Sequence, residues 1–264
     1  MTGERFDAAL FRAECTARGL ELGRAVSWQD VTESTNDDAL AAAKNGAAHG
    51  AVFGAETQTR GRGRRGSEWL STPGAGLWFS VLLRPHLSLE LLPGLALCAG
   101  LAVRAAVAAR VAAPVQVKWP NDVWAGGRKI SGILVKSQLS GAKVGSVIVG
   151  IGINVNQTAF PDELAPIATS LRLLSAEALS REPLLADVLS RLESELQRLT
   201  EQGLAGVAEA LRPHDALWGR RLRVDAREGI GDGIDGDGRL RLRRADGQVD
   251  AVIAGHVELL DQGR

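Results

Sequence analysis

The chain has 264 residues, of which 45% are hydrophobic and 23% are charged, and its 31 Lys and Arg residues balance 31 Asp and Glu residues. This composition is typical of one large globular domain, or of one with a small appendage. Zero net charge excludes a general attraction to nucleic acid or to anionic lipid, so any cationic function must be local. The two cysteines, Cys15 and Cys98, lie far apart without metal spacing and indicate buried thiols in a reducing cytoplasm.

Apolar periodicity and turn residues divide the first 155 residues into alternating helices and strands. The predicted elements are a helix over 6–20, a strand over 25–31, a helix over 37–46, strands over 51–58 and 76–85, a helix over 91–113, and strands over 115–119, 129–138 and 146–155. Pro93, Arg104 and Arg110 interrupt the most apolar stretch, which therefore predicts a buried helix and not a membrane span. Ser34 to Asp37 offer N-cap chemistry, and Pro120 to Asp122 predict a turn.

Within the last 110 residues, the sequence pattern changes near 212–217 from helical periodicity to short alternating segments. Residues 157–168 predict a loop, and a long helical region is expected over 183–211. After Leu217, short segments such as RLRVD and RLRLRR alternate strictly between polar and apolar residues, and turns of Gly and Asp separate them. This pattern predicts a small barrel of short strands. The N-terminus shows no signal-peptide pattern and is too short before the first strand for a helix-turn-helix module with its linker.

Residues 61–66 read GRGRRG and satisfy the dinucleotide-binding pattern G-x-G-x-x-G letter for letter. A Rossmann fingerprint lies between a strand and a helix, however, and the segment after this one, which contains Pro73, does not predict a helix. A solvated basic loop would explain the arginines but not the alternating glycines, since glycine costs folding entropy unless the backbone needs it. We therefore expect a loop that closes over a multiply anionic ligand and is disordered without it.

Seven motifs give the chain a specific resemblance. They are STND (34–37), ETQTRGRGRRGSEW (56–69), LWFSVLLRP (77–85), KWPNDV (118–123), RKISGIL (128–134), GIGINVNQ (150–157) and ATSL (168–171). In this order and at this spacing they resemble the bacterial biotin–protein ligases of the short type, which lacks an N-terminal DNA-binding domain. The resemblance runs from about Trp28 to the end of the chain, where GIDGDGRL (233–240) is similar to the C-terminal signature of the family.

The resemblance implies an α+β fold, with a mixed sheet flanked by helices like that of class II aminoacyl-tRNA synthetases and a small C-terminal SH3-like β-barrel. We expect a catalytic domain over residues 1–214 and the C-terminal domain over 215–264. The implied reaction has two steps: biotin and Mg-ATP form biotinyl-5′-AMP and pyrophosphate, and a lysine of a biotin carboxyl carrier protein then attacks the mixed anhydride. The carrier would belong to a biotin-dependent carboxylase such as acetyl-CoA carboxylase. Neither DNA nor membrane is an expected partner, and a homodimer is compatible with the sequence.

The resemblance also assigns catalytic, nucleotide-binding and metal-binding roles to individual residues. Catalytic roles fall on Arg62, Arg64, Lys118, Asp122 and Lys129. Nucleotide contacts fall on Arg62, Arg64, Arg65, Trp69, Lys118, Asn121, Lys129 and Asn154, and Asp122 is the candidate ligand of Mg²⁺. Adenylation joins two anions, so cationic donors and a metal must be in place before the reaction. Arg65 could equally serve only the loop, Lys129 could be a surface lysine, and Asn121 and Asp122 could simply form a turn. Asn154 is expected to end a strand with its carboxamide free.

Biotin contacts are implied for a second, mostly uncharged set. Its members are Ser34, Thr35, Asn36, Gln58, Gly61, Arg62, Gly63, Arg64, Lys129 and Gly132. The ureido head of biotin carries two N–H donors and one carbonyl, which hydroxyl and amide side chains complement. Helix capping by Ser34 or Thr35 is a competing role that is compatible with binding. Trp69 and Trp78 could either line the path of the biotin tail or lie in the core.

Two positions depart from the family pattern: Lys136 stands where the family usually has glutamate, and Ser67 where a basic residue is common. The first reverses a charge near the site and could alter loop pairing or a dimer surface. Three alternatives remain open. One is a lipoate–protein ligase with the same adenylate chemistry, another is a non-catalytic biotin-binding protein, and the third is a ligand-sensing repressor.

Overall fold

The computed structural model describes residues 4–85, 88–140 and 143–261, and within them the chain forms five α-helices and twelve β-strands. The helices are α1 (Ala8–Ala17), α2 (Thr35–Lys44), α3 (Gly94–Ala108), α4 (Leu171–Ser175) and α5 (Arg181–Leu211). The strands are β1 (Val26–Thr32), β2 (Val52–Gln58), β3 (Gly76–Leu83), β4 (Val115–Lys118), β5 (Asp122–Ala125), β6 (Arg128–Ser140), β7 (Lys143–Asn154), β8 (Arg221–Val224), β9 (Arg227–Ile234), β10 (Leu240–Arg243), β11 (Val249–Val252) and β12 (Val257–Leu259).

The strands form two sheets. The first has the order β1-β2-β3-β7-β6-β5-β4, in which β1 and β2 are parallel and the other neighbours are antiparallel. The second is an antiparallel sheet in the order β11-β10-β9-β8-β12. The predicted α+β class, a mixed sheet flanked by helices with a small β unit after it, is confirmed.

Side-chain alternation along β7 gives the two faces of the mixed sheet different characters. The odd-numbered residues of 147–153 are buried in the main hydrophobic core with α3 and α5. On the opposite face, Ile148 packs with Ala39 of α2 in a second, smaller core. Gly150 and Gly152 follow Ile148 on that face and carry no side chain to fill it. The sheet is therefore sealed on one side and left open on the other, just past the start of α2.

Several element predictions were wrong in their bounds or in kind. The first helix covers only Ala8–Ala17, because Asp7 caps it by accepting from two backbone N–H groups and the chain turns at Gly19 with φ +67°. The apolar helix predicted over 91–113 covers Gly94–Ala108 and starts directly after Pro93, which lacks the N–H that a helix interior needs. The helix α4 was not predicted. The expected turn at 120–122 runs into the unpredicted strand β5, so Asp122 is a strand residue.

The C-terminal sheet is linked to the mixed sheet by α5 and the segment that follows it. The helix α5 ends at Leu211 and β8 begins at Arg221, so the expected domain boundary after residue 214 falls between them and stays a prediction. Residues 1–3 and 262–264 of the two expected domains lie outside the described residues. Cys15 and Cys98 are free and buried, as predicted.

Candidate active site

The candidate active site is a cavity of about 540 Å³ above the glycines of the mixed sheet. A Cβ atom at Gly150 would lie 2.2 Å from Asn36 Oδ1, and one at Gly152 would lie 2.4 Å from Trp69 Cε2. Gly132 of β6 is the register partner of Gly152, and a Cβ there would also meet the Trp69 ring, at 2.8 Å. These approaches are too close for any side chain larger than hydrogen. The glycines therefore form a flat floor on which other residues and a ligand can lie.

One end of the cavity is closed by buried polar groups. Thr35 donates to Gln58 Oε1 from both its backbone N, at 3.0 Å, and its hydroxyl, at 3.2 Å. Ser80 Oγ lies 2.8 Å from Thr35 Oγ1 and donates to Asn36 Oδ1 at 2.6 Å. Ser34 occupies the N-cap position of α2 without a side-chain capping bond, and it lines the cavity. This end presents donors and acceptors without net charge.

The mouth of the cavity carries two lysines and one carboxylate. Lys129 Nζ lies 2.8 Å from Asp122 Oδ1 and 5.4 Å from the centre of the Trp69 ring. Lys118 Nζ donates to the carbonyl oxygen of Val257 at 3.0 Å, so a C-terminal strand holds it over the site. Burial lowers the pKa of Lys118. The charge of Asp122 raises this pKa and the charge of Lys129 lowers it, and the overall shift is downward. Extra negative charge at this mouth would be favourable.

The arginine loop covers the same cavity. Arg62 and Glu68 form an antiparallel bridge that closes the loop, and a short 3₁₀ turn spans Arg64–Gly66. Arg64 donates to Asn121 Oδ1 at 3.2 Å, and burial together with the neighbouring Arg65 lowers the pKa of Arg64. No helix follows the loop before β3, which agrees with the rejection of a Rossmann turn. The loop thus brings guanidinium groups to the cavity that the lysines also line.

Arg65 takes a different direction from Arg62 and Arg64. Its guanidinium donates to Asp225 Oδ1 at 3.2 Å, and Asp225 belongs to the turn between β8 and β9. The same carboxylate oxygen accepts from the backbone N of His256 at 3.0 Å. Trp119 adds a further tie, since its indole N–H donates to the carbonyl oxygen of Gly238 at 3.1 Å. The C-terminal sheet is therefore joined to both the arginine loop and the KWPND motif.

A second cavity, of about 710 Å³, shares Trp69, Lys118, Asp122 and Lys129 with the first. Its far wall is the 157–168 segment, which has no regular secondary structure, as predicted. The backbone of Lys129 fixes that segment, because its N–H donates to the carbonyl of Ile167 at 2.8 Å and its carbonyl accepts from Thr169 N at 2.9 Å. A ligand with two parts could therefore extend from one cavity into the other past Lys129.

Most of the predicted site residues line the first cavity. From both predicted sets these are Ser34, Thr35, Asn36, Gln58, Arg62, Gly63, Arg64, Arg65, Trp69, Lys118, Asn121, Asp122, Lys129 and Gly132. Gly61 lies behind the wall, where a Cβ would be 2.5 Å from the carbonyl oxygen of Trp69. Their individual roles remain predictions.

One residue behaves differently from the prediction, and the two tryptophans, whose place the sequence left open, differ from each other. The carboxamide of Asn154 is not free: its Nδ2 donates to the carbonyl of Thr169 at 3.0 Å, and its Oδ1 accepts from Gln157 at 3.1 Å. The side chain ties the end of β7 to the 157–168 segment, although Asn154 still lines the second cavity. Of the two tryptophans, Trp78 is buried in the core, whereas Trp69 lies in the wall between the cavities.

Sequence reasoning missed residues whose signal is weak. Ser80 is the one polar side chain in the apolar run of β3, and this break in the pattern could have identified it. Gly150 and Gly152 alternate with isoleucine, and such alternation predicts one empty face of a strand. Val257 and His256 could not have been found, because their approach depends on how the second sheet docks.

A magnesium site made by protein ligands alone is not present in the described ranges, where no group of three or more His, Cys, Asp or Glu residues could hold a metal. Asp122 fits the role of a single ligand. Its Oδ1 is buried and accepts no hydrogen bond of proper geometry from the described residues, although Lys129 Nζ is close. Mg²⁺ is commonly held by one or two carboxylates together with substrate phosphates.

The fold of this chain is similar to those of solved biotin protein ligases. The solved biotin protein ligase from Aquifex aeolicus in complex with biotin and ATP aligns with a TM-score of 0.77 and 30% identity, covering 89% of this chain and 98% of that chain. The biotin protein ligase from Leishmania major in complex with biotinyl-5-AMP aligns with a TM-score of 0.62 and 25% identity, covering 86% and 98%.

Sequence comparison agrees with the structural alignment. The biotin–[acetyl-CoA-carboxylase] ligase of Mycobacterium tuberculosis is 36% identical over 262 residues, 92% of this chain and 94% of that protein. The bifunctional ligase/repressor BirA of Bacillus spizizenii is 35% identical over 244 residues, 90% of this chain and 75% of that protein. The model of the biotin/lipoate A/B protein ligase family matches residues 28–154. The chain belongs to the biotin/lipoate A/B protein ligase family, which confirms the resemblance seen in its motifs.

Proposed function

We propose that this protein is an ATP-dependent biotin–protein ligase, which forms biotinyl-5′-AMP and transfers biotin to a lysine of a biotin carboxyl carrier protein. The observation that carries the proposal is the polarity of one cavity: uncharged donors and acceptors close one end, and Lys129 and Arg64 lie at the other, beside Asp122 and Asn121. Biotin has the matching polarity, with a neutral ureido head and a carboxylate tail. Two relatives are named biotin–[acetyl-CoA-carboxylase] ligase, and these names support the choice of a carboxylase carrier protein as the acceptor.

In this proposal the buried end binds the ureido head. Ser34 and Thr35 carry hydroxyl groups that would pair with the head. The amides of Asn36 and Gln58 already bond within the protein, so they would offer their remaining hydrogens and lone pairs. Thr35 and Asn36 are already oriented by Ser80, so little conformational freedom is lost on binding. The bicyclic ring would lie against Asn36 and Trp69, which rest on the glycine floor, and the tail would point toward Lys129.

The activation step joins the biotin carboxylate to the α-phosphorus of ATP, and pyrophosphate leaves. Lys129 lies between the two cavities and is in position to neutralise the carboxylate and the α-phosphate together. Arg62 and Arg64 would close from above and exclude water, which protects a mixed anhydride from hydrolysis. Asp122 would hold Mg²⁺ together with the phosphates, and the metal would supply charge neutralisation for the leaving pyrophosphate.

The transfer step forms an amide bond. The neutral ε-amine of the acceptor lysine attacks the carbonyl carbon of the anhydride, the carbon–oxygen bond to AMP breaks so that AMP leaves with the electron pair, and the amine gives up one proton to solvent. Asp122 is suited to orient that amine, because its carboxylate lies among the residues that line both cavities and a carboxylate accepts from an amine. The acceptor therefore has to approach from the mouth that Lys118 and Lys129 line.

The proposal is tested by pyrophosphate release in the presence of ATP with biotin or lipoate. Biotin should drive release and lipoate should not, and added carrier domain should take up biotin at one lysine. Release with lipoate alone would identify a lipoate ligase, and biotin binding without release would identify a binding protein. Gel-shift assays at physiological salt test for a repressor, and we expect no specific DNA complex.

The membrane is not an expected partner. Across the three described ranges, no helix has both the length and the apolar character to cross a bilayer. A cytoplasmic location is part of the proposal and is supported by the two buried, unpaired cysteines.

A further inference from the structure

A cluster of three charged side chains lies at the edge of the first cavity, which one of them, Arg62, lines. Lys136 Nζ donates to Asp37 Oδ1 at 2.8 Å, and Arg62 approaches the other oxygen, Oδ2, at 3.4 Å. Asp37 is in the first turn of α2, Lys136 is on β6 and Arg62 is in the arginine loop. Two cations therefore share one carboxylate, and the cluster connects the floor, the buried end and the cover of the site.

The two cations are held unequally. Lys136 is 29% exposed and makes a hydrogen bond, whereas Arg62 is 47% exposed and makes an ion pair at longer distance. Although burial alone would raise the pKa of Asp37, the hydrogen bond and charge of Lys136, with the charge of Arg62, lower it overall. Asp37 is therefore an anion that stays neutralised by Lys136 if Arg62 leaves.

The position of Arg62 makes such a departure useful. Its side chain lines the cavity, and the proposed reaction places a carboxylate and then a phosphate there. To bind either anion, Arg62 has to exchange Asp37 for the ligand. If Asp37 had no other partner, this exchange would leave a carboxylate that is 37% exposed without its ion pair, at the modest cost typical of partly exposed pairs.

We propose that Asp37 and Lys136 are positioning residues for Arg62: Asp37 holds the guanidinium at the rim of the cavity, and Lys136 weakens that hold by sharing the carboxylate. The inference rests on the proposed biotin ligation for the identity of the anion. It explains the lysine at position 136 by its effect on the arginine loop. It also predicts that Lys136 acts on biotin only through Asp37.

The experiment is a double-mutant cycle read by biotin-dependent exchange of pyrophosphate into ATP. Lys136→Met should raise the KM for biotin about two- to fivefold, the range expected for one partly exposed ion pair, because Arg62 becomes the sole partner of Asp37. The kcat should stay near that of the unaltered protein, since Arg62 has already moved in the bound complex. In an Asp37→Asn background, Lys136→Met should leave the KM for biotin unchanged.

Controls separate this coupling from other effects of the lysine. Lys136→Arg keeps the charge and should restore the KM, and Lys44→Met removes a lysine from the exposed far end of α2 and should have no effect. An equal rise in KM in both backgrounds would show that Lys136 attracts the ligand directly, and no rise in either would show that it does not act on the site; both results overturn the inference. Unfolding midpoints show whether each variant is folded, and Lys136→Gln, which also removes the charge, replaces Lys136→Met if that variant is not. A lack of exchange in the unaltered protein would instead overturn the proposed function.

Discussion

Replacing Gly150 with alanine would add one methyl group at the buried end of the cavity. The new Cβ would lie 2.2 Å from Asn36 Oδ1, so Asn36 has to move. Moving it strains or breaks its hydrogen bonds with Ser80 and with the carbonyl oxygen of Leu134, each with a net value of about 1 kcal/mol. Overpacking adds about 1–3 kcal/mol, and the stiffer unfolded chain returns about 0.4–1 kcal/mol. We expect a loss of about 2–4 kcal/mol in the free energy of unfolding, with weaker biotin binding.

Urea denaturation and isothermal titration with biotin measure these two effects. Gly236→Ala is the matched control, because its Cβ would make an ordinary contact of 3.8 Å with Ala205. In an Asn36→Ala background the methyl group has room, so Gly150→Ala should then cost much less. The reasoning would be refuted by a Gly150→Ala protein as stable as the Gly236→Ala protein and equally able to bind biotin.

The other predictions concern the mouth, the floor and a buried ion pair. Lys129→Met should lower biotin-dependent pyrophosphate exchange about 10²–10³-fold while the protein stays folded; near-normal exchange would exclude a role at the phosphate. Gly152→Ala should push Trp69 off the floor and raise the KM for biotin or ATP, at a smaller stability cost than Gly150→Ala because Trp69 is only partly buried; unaltered kinetics would contradict this geometry. Glu56→Gln should cost about 3–5 kcal/mol in urea unfolding, because it breaks a buried pair with Arg181 at 2.8 Å. Burial favours protonated Glu56, but hydrogen bonds from Arg181 and other groups lower its pKa overall, so its contribution is complete above the ordinary pKa of about 4.3 and is lost as the pH falls. The Gln variant should therefore lose less stability on acidification than the unaltered protein.

The order of helices and strands could be predicted from hydrophobic periodicity and from the positions of turn residues. The errors occurred where tertiary contacts determine the secondary structure. The four residues of β5 are too few to show a period, and they become a strand only because β4 and β6 lie on either side. The arginine loop was distinguished from a Rossmann turn because the absence of a following helix is a local property. Long, strongly periodic segments such as α5 were the most predictable, apart from their exact ends.

The site was predictable where a motif carries it and unpredictable where two distant segments meet. The motifs placed Lys129, Asp122 and the arginines on one cavity, but spacing could not show that Arg65 turns away toward Asp225. Spacing also could not show that the carboxamide of Asn154 donates to the carbonyl of Thr169, because Thr169 approaches only through the path of the 157–168 segment. The sequence therefore indicates which side chains belong to the site, whereas their hydrogen-bond partners depend on how distant segments pack together.

The contacts between the C-terminal sheet and the KWPND motif have a practical consequence for anyone who shortens this protein. A fragment that stops after α5 would leave the ammonium of Lys118 and the indole N–H of Trp119 without the carbonyl acceptors of Val257 and Gly238. It would also release Arg65 from Asp225. The five small strands therefore hold residues of the candidate active site in place, and a fragment without them should have reduced activity.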